Sequence, residues 1–307
     1  MRLPALAIVM LALTLGPASA QQVNDPDADV SVARPDFPKD TGPVIAIDSG
    51  HNNFHTIDGR YQPFAAVLRN DGFRVVDSHS VFTGDSLSSF KVLVISNALP
   101  AGLVKNWALP ATSAFSPAEI DALKTWVTGG GSLLLIADHR PFGGSARDLA
   151  SAFGFQFEDG VVERDPLGSR PDIFTRTDGS LHNDVVTRGR DASTAVTSLR
   201  TFTGSAFRAP ATARPIIVLP AGYMSHQCLL PCQGSVPESD VSGYLQGAVM
   251  PMGKGRIAVF GEAAMFSSQI IGKSNPPFRF GFTAKGAEQN KQFILNLMQW
   301  LAGILPE

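Results

Sequence analysis

The feature that most constrains the fold is a series of short, largely apolar runs, each followed by a polar residue and then by an amphipathic segment. Val44–Asp48 (VIAID), Phe73–Val76, Val92–Ile95 and Leu133–Ala137 (LLLIA) are four such runs. Strands buried on both faces read this way, whereas a strand with one wet face alternates. Helical patterns lie between them. Arg60–Asn70 puts Phe64, Val67 and Leu68 on one face, and Asp71-Gly72 ends it. Ser116-Pro117-x-Glu119 supplies a capping serine, a first-turn proline and a third-position glutamate. A stripe of Ile120, Leu123, Trp126 and Val127 follows, and Gly129-Gly130-Gly131 stops it. Strand and helix alternate through short connections. This predicts an α/β fold: a mainly parallel sheet with helices on both faces.

The later chain adds less regular material. Residues 155–213 are polar and rich in Arg, Thr and Gly, with short strand-like pieces such as Ala195–Leu199, and read as an insertion or an irregular sheet edge beside the core, not as a second domain. Pro215–Leu219 restores an apolar strand. Tyr244–Met250 and Arg256–Phe260 flank Gly253-Lys254-Gly255, which predicts an antiparallel hairpin. A closing helix from about Ala287 to Leu301 buries Phe293, Ile294, Leu297, Met298 and Leu301.

The N-terminus reads as a signal for export. Arg2, the apolar run Leu6–Leu15 and the small-residue site Ala18-Ser19-Ala20 form a secretory pattern, too short to span a bilayer. Cleavage leaves Gln21 first, then a polar leader over residues 21–42 and a single domain over residues 43–307. The expected location is periplasmic or secreted. The mature chain carries 24 Lys and Arg against 27 Asp and Glu, which offers no basic stripe for nucleic acid. No later stretch suits a membrane, and nothing in the sequence identifies a protein partner. Cys228 and Cys232 are the two cysteines. In an oxidising compartment they read as a local disulfide; a metal site of His226, Cys228 and Cys232 is the alternative, lacking a fourth ligand.

Open α/β sheets bind ligands at the carboxyl ends of their strands. Three such ends carry ionisable groups: Asp48-Ser49-Gly50-His51-Asn52-Asn53-Phe54-His55, Asp138-His139-Arg140, and Gly261-Glu262. Asp48, His51, Asp138, His139 and Glu262 are candidates for acid–base catalysis. His51, His55 and Asp138 can ligate a divalent ion such as zinc. Asn52, Asn53, Arg140 and the turn Gly143-Gly144, which opens a helix over Ala146–Phe153, are candidates for substrate binding. Each has a plainer reading as a cap or turn. No G-x-S-x-G elbow occurs, and Ser96 is a remaining candidate nucleophile. The expected activity is that of a hydrolase-like protein acting on a small polar or carbohydrate-type ligand, with a non-catalytic binding or scaffold protein as the alternative.

HNNFHTIDGRYQPFAAVLRNDGFRV, GGGSLLLIADHRPFGG, GRIAVFGEAAMFSSQ and NKQFILNLMQWL together resemble an uncharacterised family of exported bacterial proteins. Its domain is class I glutamine-amidotransferase-like and related to the ThuA-like proteins. The resemblance implies a flavodoxin-like three-layer sandwich with its site at the sheet edge. True amidotransferases use a Cys nucleophile on a strand-to-helix elbow. Neither cysteine here stands at such a place, so glutamine hydrolysis is not implied.

Overall fold

The computed structural model describes residues 22–306 apart from positions 106, 108, 165–171, 231, 233 and 272–275. The expected signal, Met1–Ala20, lies outside the described residues. The largest sheet has nine strands: β1 Val44–Asp48, β2 Arg74–Ser78, β3 Val92–Ser96, β4 Ser132–Ile136, β5 Gln156–Glu158, β6 Ala206–Arg208, β7 Arg214–Val218, β8 Leu245–Met252 and β9 Gly255–Phe260. Their order in space is β2-β1-β3-β4-β9-β8-β6-β5, with β7 pairing β8 beside that path. From β2 to β9 the pairs are parallel, so the three central runs read from the sequence are adjacent and parallel. Beyond β9 every pair is antiparallel, starting with the expected β8–β9 hairpin.

Four longer helices cover this sheet: α1 Gln62–Asn70, α2 Pro117–Gly129, α3 Phe142–Ala152 and α4 Asn290–Leu301. Successive strand residues point to opposite faces. Ile45, Ile47, Val92, Val94, Leu134 and Ile136 therefore pack with Phe64 and Leu68 of α1 and with Phe293, Ile294 and Leu297 of α4. Ala46, Leu93, Ile95, Leu133 and Leu135 pack with Leu123 and Val127 of α2 and Leu149 of α3. Burying each large aliphatic or aromatic side chain contributes about 1.5–3 kcal/mol, which explains why uninterrupted apolar runs were needed. Trp126 is half-buried, at the edge of the second cluster.

Segment 155–213 includes sheet edge, one of its two readings: β5 and β6 lie within it and extend the main sheet, while Asp172–Thr175 and Ser198–Thr201 form a separate pair. One expectation needs correction. The helix after β4 starts at Phe142, so Gly143 and Gly144 sit inside its first turn, not before it. The leader is stitched to the body. Gln22–Asn24 pairs antiparallel with Ser268–Ile271, and ion pairs join Asp25 to Arg279, Asp29 to Lys291 and Arg34 to Asp191. Cys228 and Cys232 form a disulfide with Cα atoms 5.4 Å apart, which removes the metal reading of that loop. His226 instead faces Glu238 at 3.5 Å.

Candidate functional site

The loop after β1 starts with a clamp. His51 Nδ1 lies 3.0 and 2.9 Å from the two Asp48 oxygens, and Nε2 lies 2.9 Å from Glu119 Oε1. An ionised carboxylate only accepts, so both ring nitrogens donate and the ring is an imidazolium. Burial opposes that charge, but the hydrogen bonds and charges of Asp48 and Glu119 outweigh it and raise the imidazole above its ordinary value. Burial also opposes the Glu119 charge, yet the Ser116 N–H and His51 bring that carboxyl down to about 2. Phe82 and Phe115 pack on the ring at 4.4 and 4.9 Å. His51 is thus a structural tie between β1 and the capping box of α2, with neither nitrogen free as a base or a ligand.

The next histidine is placed differently. A pocket of about 100 Å³ opens at the carboxyl edge, between the ends of β1, β3, β4 and β9. Phe54, His55, Asn97, Asp138, His139 and Ala264 line it, with Phe142, Phe202, Phe280, Gln22, Thr203 and Gln269. Asn97, just beyond β3, has φ +54°, the left-handed region that asparagine tolerates. From that elbow its Oδ1 accepts the Asp138 N–H at 2.9 Å, which leaves Nδ2 to donate to His55 Nδ1 at 3.2 Å. His55 must then carry its hydrogen on Nε2. Burial, then the neighbouring Arg60 charge, lowers its pKa to about 3, so the ring is neutral. His139 has the opposite tautomer. Its Nδ1 is 2.9 Å from the Arg140 carbonyl, which can only accept, so Nδ1 donates and, in the neutral ring, Nε2 is the nitrogen with the lone pair. One pocket therefore holds a neutral imidazole donor and an imidazole acceptor.

The acids serve backbone groups. Asp138 accepts the N–H of His139 at 2.6 Å and of Ala263 at 3.1 Å, tying the end of β4 to the loop after β9. Glu262 is fully buried and accepts the Ala264 and Met265 N–H groups at 2.8 and 2.7 Å. Burial, then the Asp138 charge, holds its carboxyl well above the usual range. Glu262 does not line the pocket. Asp48 also accepts the Gly50 N–H. Of the expected site residues, His55, Asp138 and His139 are brought together, while Asp48, His51 and Glu262 lie behind the surface.

The expected substrate-binding residues are occupied elsewhere. Asn52 donates to the Leu99 carbonyl, and Asn53 spans the His51 N–H and the Ser96 carbonyl. Arg140 pairs with Asp159 at 3.1 Å, and the same carboxylate takes the Gly144 N–H at 2.9 Å, leaving that N–H no anion to seek. Gly143 is buried beside it. Ser96 is buried and its Oγ donates to the Tyr61 hydroxyl at 3.1 Å, and no histidine among the described residues is hydrogen-bonded to it. Among the described residues no three His, Cys, Asp or Glu side chains stand where they could hold an ion together. Of His51, His55 and Asp138, the last two line the pocket, while His51 is held by Asp48 and Glu119.

Three contributors were missed by reading the sequence: Asn97, which fixes the tautomer of His55; Glu119, read only as a cap; and Gln22, in the leader. An asparagine directly after an apolar strand is a signal for a left-handed elbow and identifies Asn97. Nothing local identifies the other two as site neighbours.

Fold and pocket define an α/β protein with a strand-edge site. No family model matches the sequence, and no curated protein matches it. The fold is similar to that of the N-terminal domain of mmIFT52, with a TM-score of 0.60 over 84% of this chain and 97% of that one, at 14% identity. A cytoplasmic protein of Salmonella typhimurium LT2 matches with a TM-score of 0.48 at 13% identity, covering 85% and 99% of the two chains. A ThuA-like protein from Bacteroides uniformis matches at 0.46 and 11%, covering 87% and 94%. At these identities the first likeness shows the fold alone.

Proposed function

We propose that this chain is an exported hydrolase-like enzyme acting on an acyl-type bond of a small polar or carbohydrate-type substrate. The observation that carries the reading is the pair of oppositely polarised imidazoles on one pocket. His139 Nε2 takes a proton from water as its oxygen attacks the substrate carbon. The His55 Nε2–H donates to the oxyanion that develops, and being neutral it does so without losing its proton. His139 then returns the proton to the leaving group as that bond breaks. Asp138 positions His139 through its backbone N–H, and Asn97 positions His55. A volume of about 100 Å³ suits one functional group and a water, so the remainder of the substrate lies outside it.

The order β2-β1-β3-β4-β9 supports a flavodoxin-like core, whose ligands sit where the strand order reverses, here beside β1 and β3. The disulfide is compatible with export, as is the finding that no helix among the described residues is long and apolar enough to cross a membrane. A ligand-binding protein is the second reading, favoured by the structural engagement of Asp48, His51 and Glu262.

The test uses protein secreted from the full-length gene, whose intact mass should correspond to a chain starting at Gln21. A panel of 4-nitrophenyl esters, amides and acetylated sugars is assayed with the wild type and with His139→Gln. We expect turnover of at least one ester, falling about 10²–10⁴-fold in the variant with unchanged circular dichroism. No turnover of any member, or full activity in His139→Gln, removes the catalytic reading in favour of the binding one.

A further inference from the structure

A larger cleft of about 450 Å³ lies beside the pocket, between Ser198–Thr201, the strand Phe278–Gly281 and the segment leading into α4. Its size is within the range of sites that enclose small ligands. Phe278, Pro277 and Phe282 give it apolar walls, and Arg200, Arg279 and Lys285 bring cations to it against the single carboxylate of Glu288. Arg279 is neutralised by Asp25 at 2.8 Å. Among the described residues neither Arg200 nor Lys285 makes an ion pair, although the Asp172, Glu288 and Glu262 charges act on Arg200 from further off. The Arg200 Nη1 donates only to the Lys285 carbonyl, and its Nε is buried with no partner among the described residues. Lys285 is exposed, and Glu288 is held below its ordinary value first by the Gly286 N–H that it accepts at 2.8 Å, with the Arg200 and Lys285 charges adding to this.

The linings of the cleft and the pocket touch through side-chain contacts. Phe202 and Phe280 line the pocket, and their rings are 5.3 Å apart. Phe280 meets Phe278 of the cleft at 4.8 Å, and the Arg200 guanidinium stands 4.6 Å over Phe202. Phe278 and Phe280 are two residues apart on one strand, a separation of about 7 Å, so a ligand of modest length reaches from one cavity to the other.

We infer that this cleft is a second binding site, taking a carboxylate carried on a flat or sugar ring. The ring rests on Phe278 and Pro277, and the carboxylate faces Arg200 and Lys285. This makes it the remote end of the substrate whose reacting group enters the pocket. That link rests on the hydrolase reading; binding in the cleft does not.

The test is an NMR titration of the secreted protein with 4-hydroxybenzoate and with glucuronate, each against its neutral counterpart, 4-hydroxybenzamide or glucose. The better of the two acids tells whether an aromatic or a sugar ring is preferred. We expect at least one acid to bind about tenfold more tightly than its neutral counterpart and to weaken about tenfold in Lys285→Glu. Arg200→Gln should act likewise; if it fails to fold, the surface variant Lys285→Glu still decides. His139→Gln should leave this affinity unchanged, which separates the cleft from the pocket. Equal binding of acids and neutral counterparts, unchanged affinity in Lys285→Glu, or no binding of either acid overturns the assignment.

Discussion

Replacing His51 by alanine would leave Asp48 and Glu119 as two carboxylates facing a void between Phe82 and Phe115. Breaking a buried pair of this kind costs about 3–5 kcal/mol, measurable as a lower midpoint in urea. The pH dependence has a definite sign. The folded state raises the imidazole pKa, so the clamp contributes fully below the unfolded value and its contribution is lost as pH rises through the folded value. Glu119 works in the other direction: held down to about 2, it contributes above its unfolded value and loses that contribution as pH falls through about 2. Denaturation midpoints of the wild type should thus decline on the alkaline side, and those of His51→Ala should lack that decline. A flat alkaline limb in the wild type would show that the ring is not charged. His51 was legible as an unusual residue at a strand end, but its role was not. Glu119 is 68 residues away, and a clamp cannot be told from a catalytic group when one jaw is invisible. His139 was legible because it directly follows Asp138.

At the scale of elements, legibility followed the source of stability. The parallel strands carry their own apolar signal and were found within a residue or two at each end. β5 and β6 are three residues each, and what makes them strands is pairing with each other and with β8. Such strands carry little local signal, because their hydrogen-bond partners come from elsewhere in the chain. Close contact between elements also gives a sharp prediction at Gly255, the first residue of β9. A Cβ there would lie 2.0 Å from the Gly131 carbonyl oxygen and 2.1 Å from that of Val127, both backbone atoms at the end of α2. Gly255→Ala must therefore push strand from helix and should cost about 3 kcal/mol in chemical denaturation. A change below about 0.5 kcal/mol would mean that this junction yields freely.

For the whole molecule, the leader is the informative part. Gln22 stands on the pocket wall and Gln269 beside it, on the two strands paired as Gln22–Asn24 and Ser268–Ile271. A chain starting at Ala28 keeps the nine-stranded sheet but loses that wall and the Asp25–Arg279 pair. We expect it to fold, by circular dichroism, and to bind substrate at least about tenfold more weakly. Unchanged affinity would exclude the leader from the site. The same pairing orders events in time. The residues synthesised early can find their place only after Ser268–Ile271 have been made, and closing so long a loop is slow compared with forming local structure. A nascent or C-terminally shortened chain can therefore build several strands and still have an open-sided pocket. The pocket closes on that side only once Ser268–Ile271 exist to receive Gln22–Asn24.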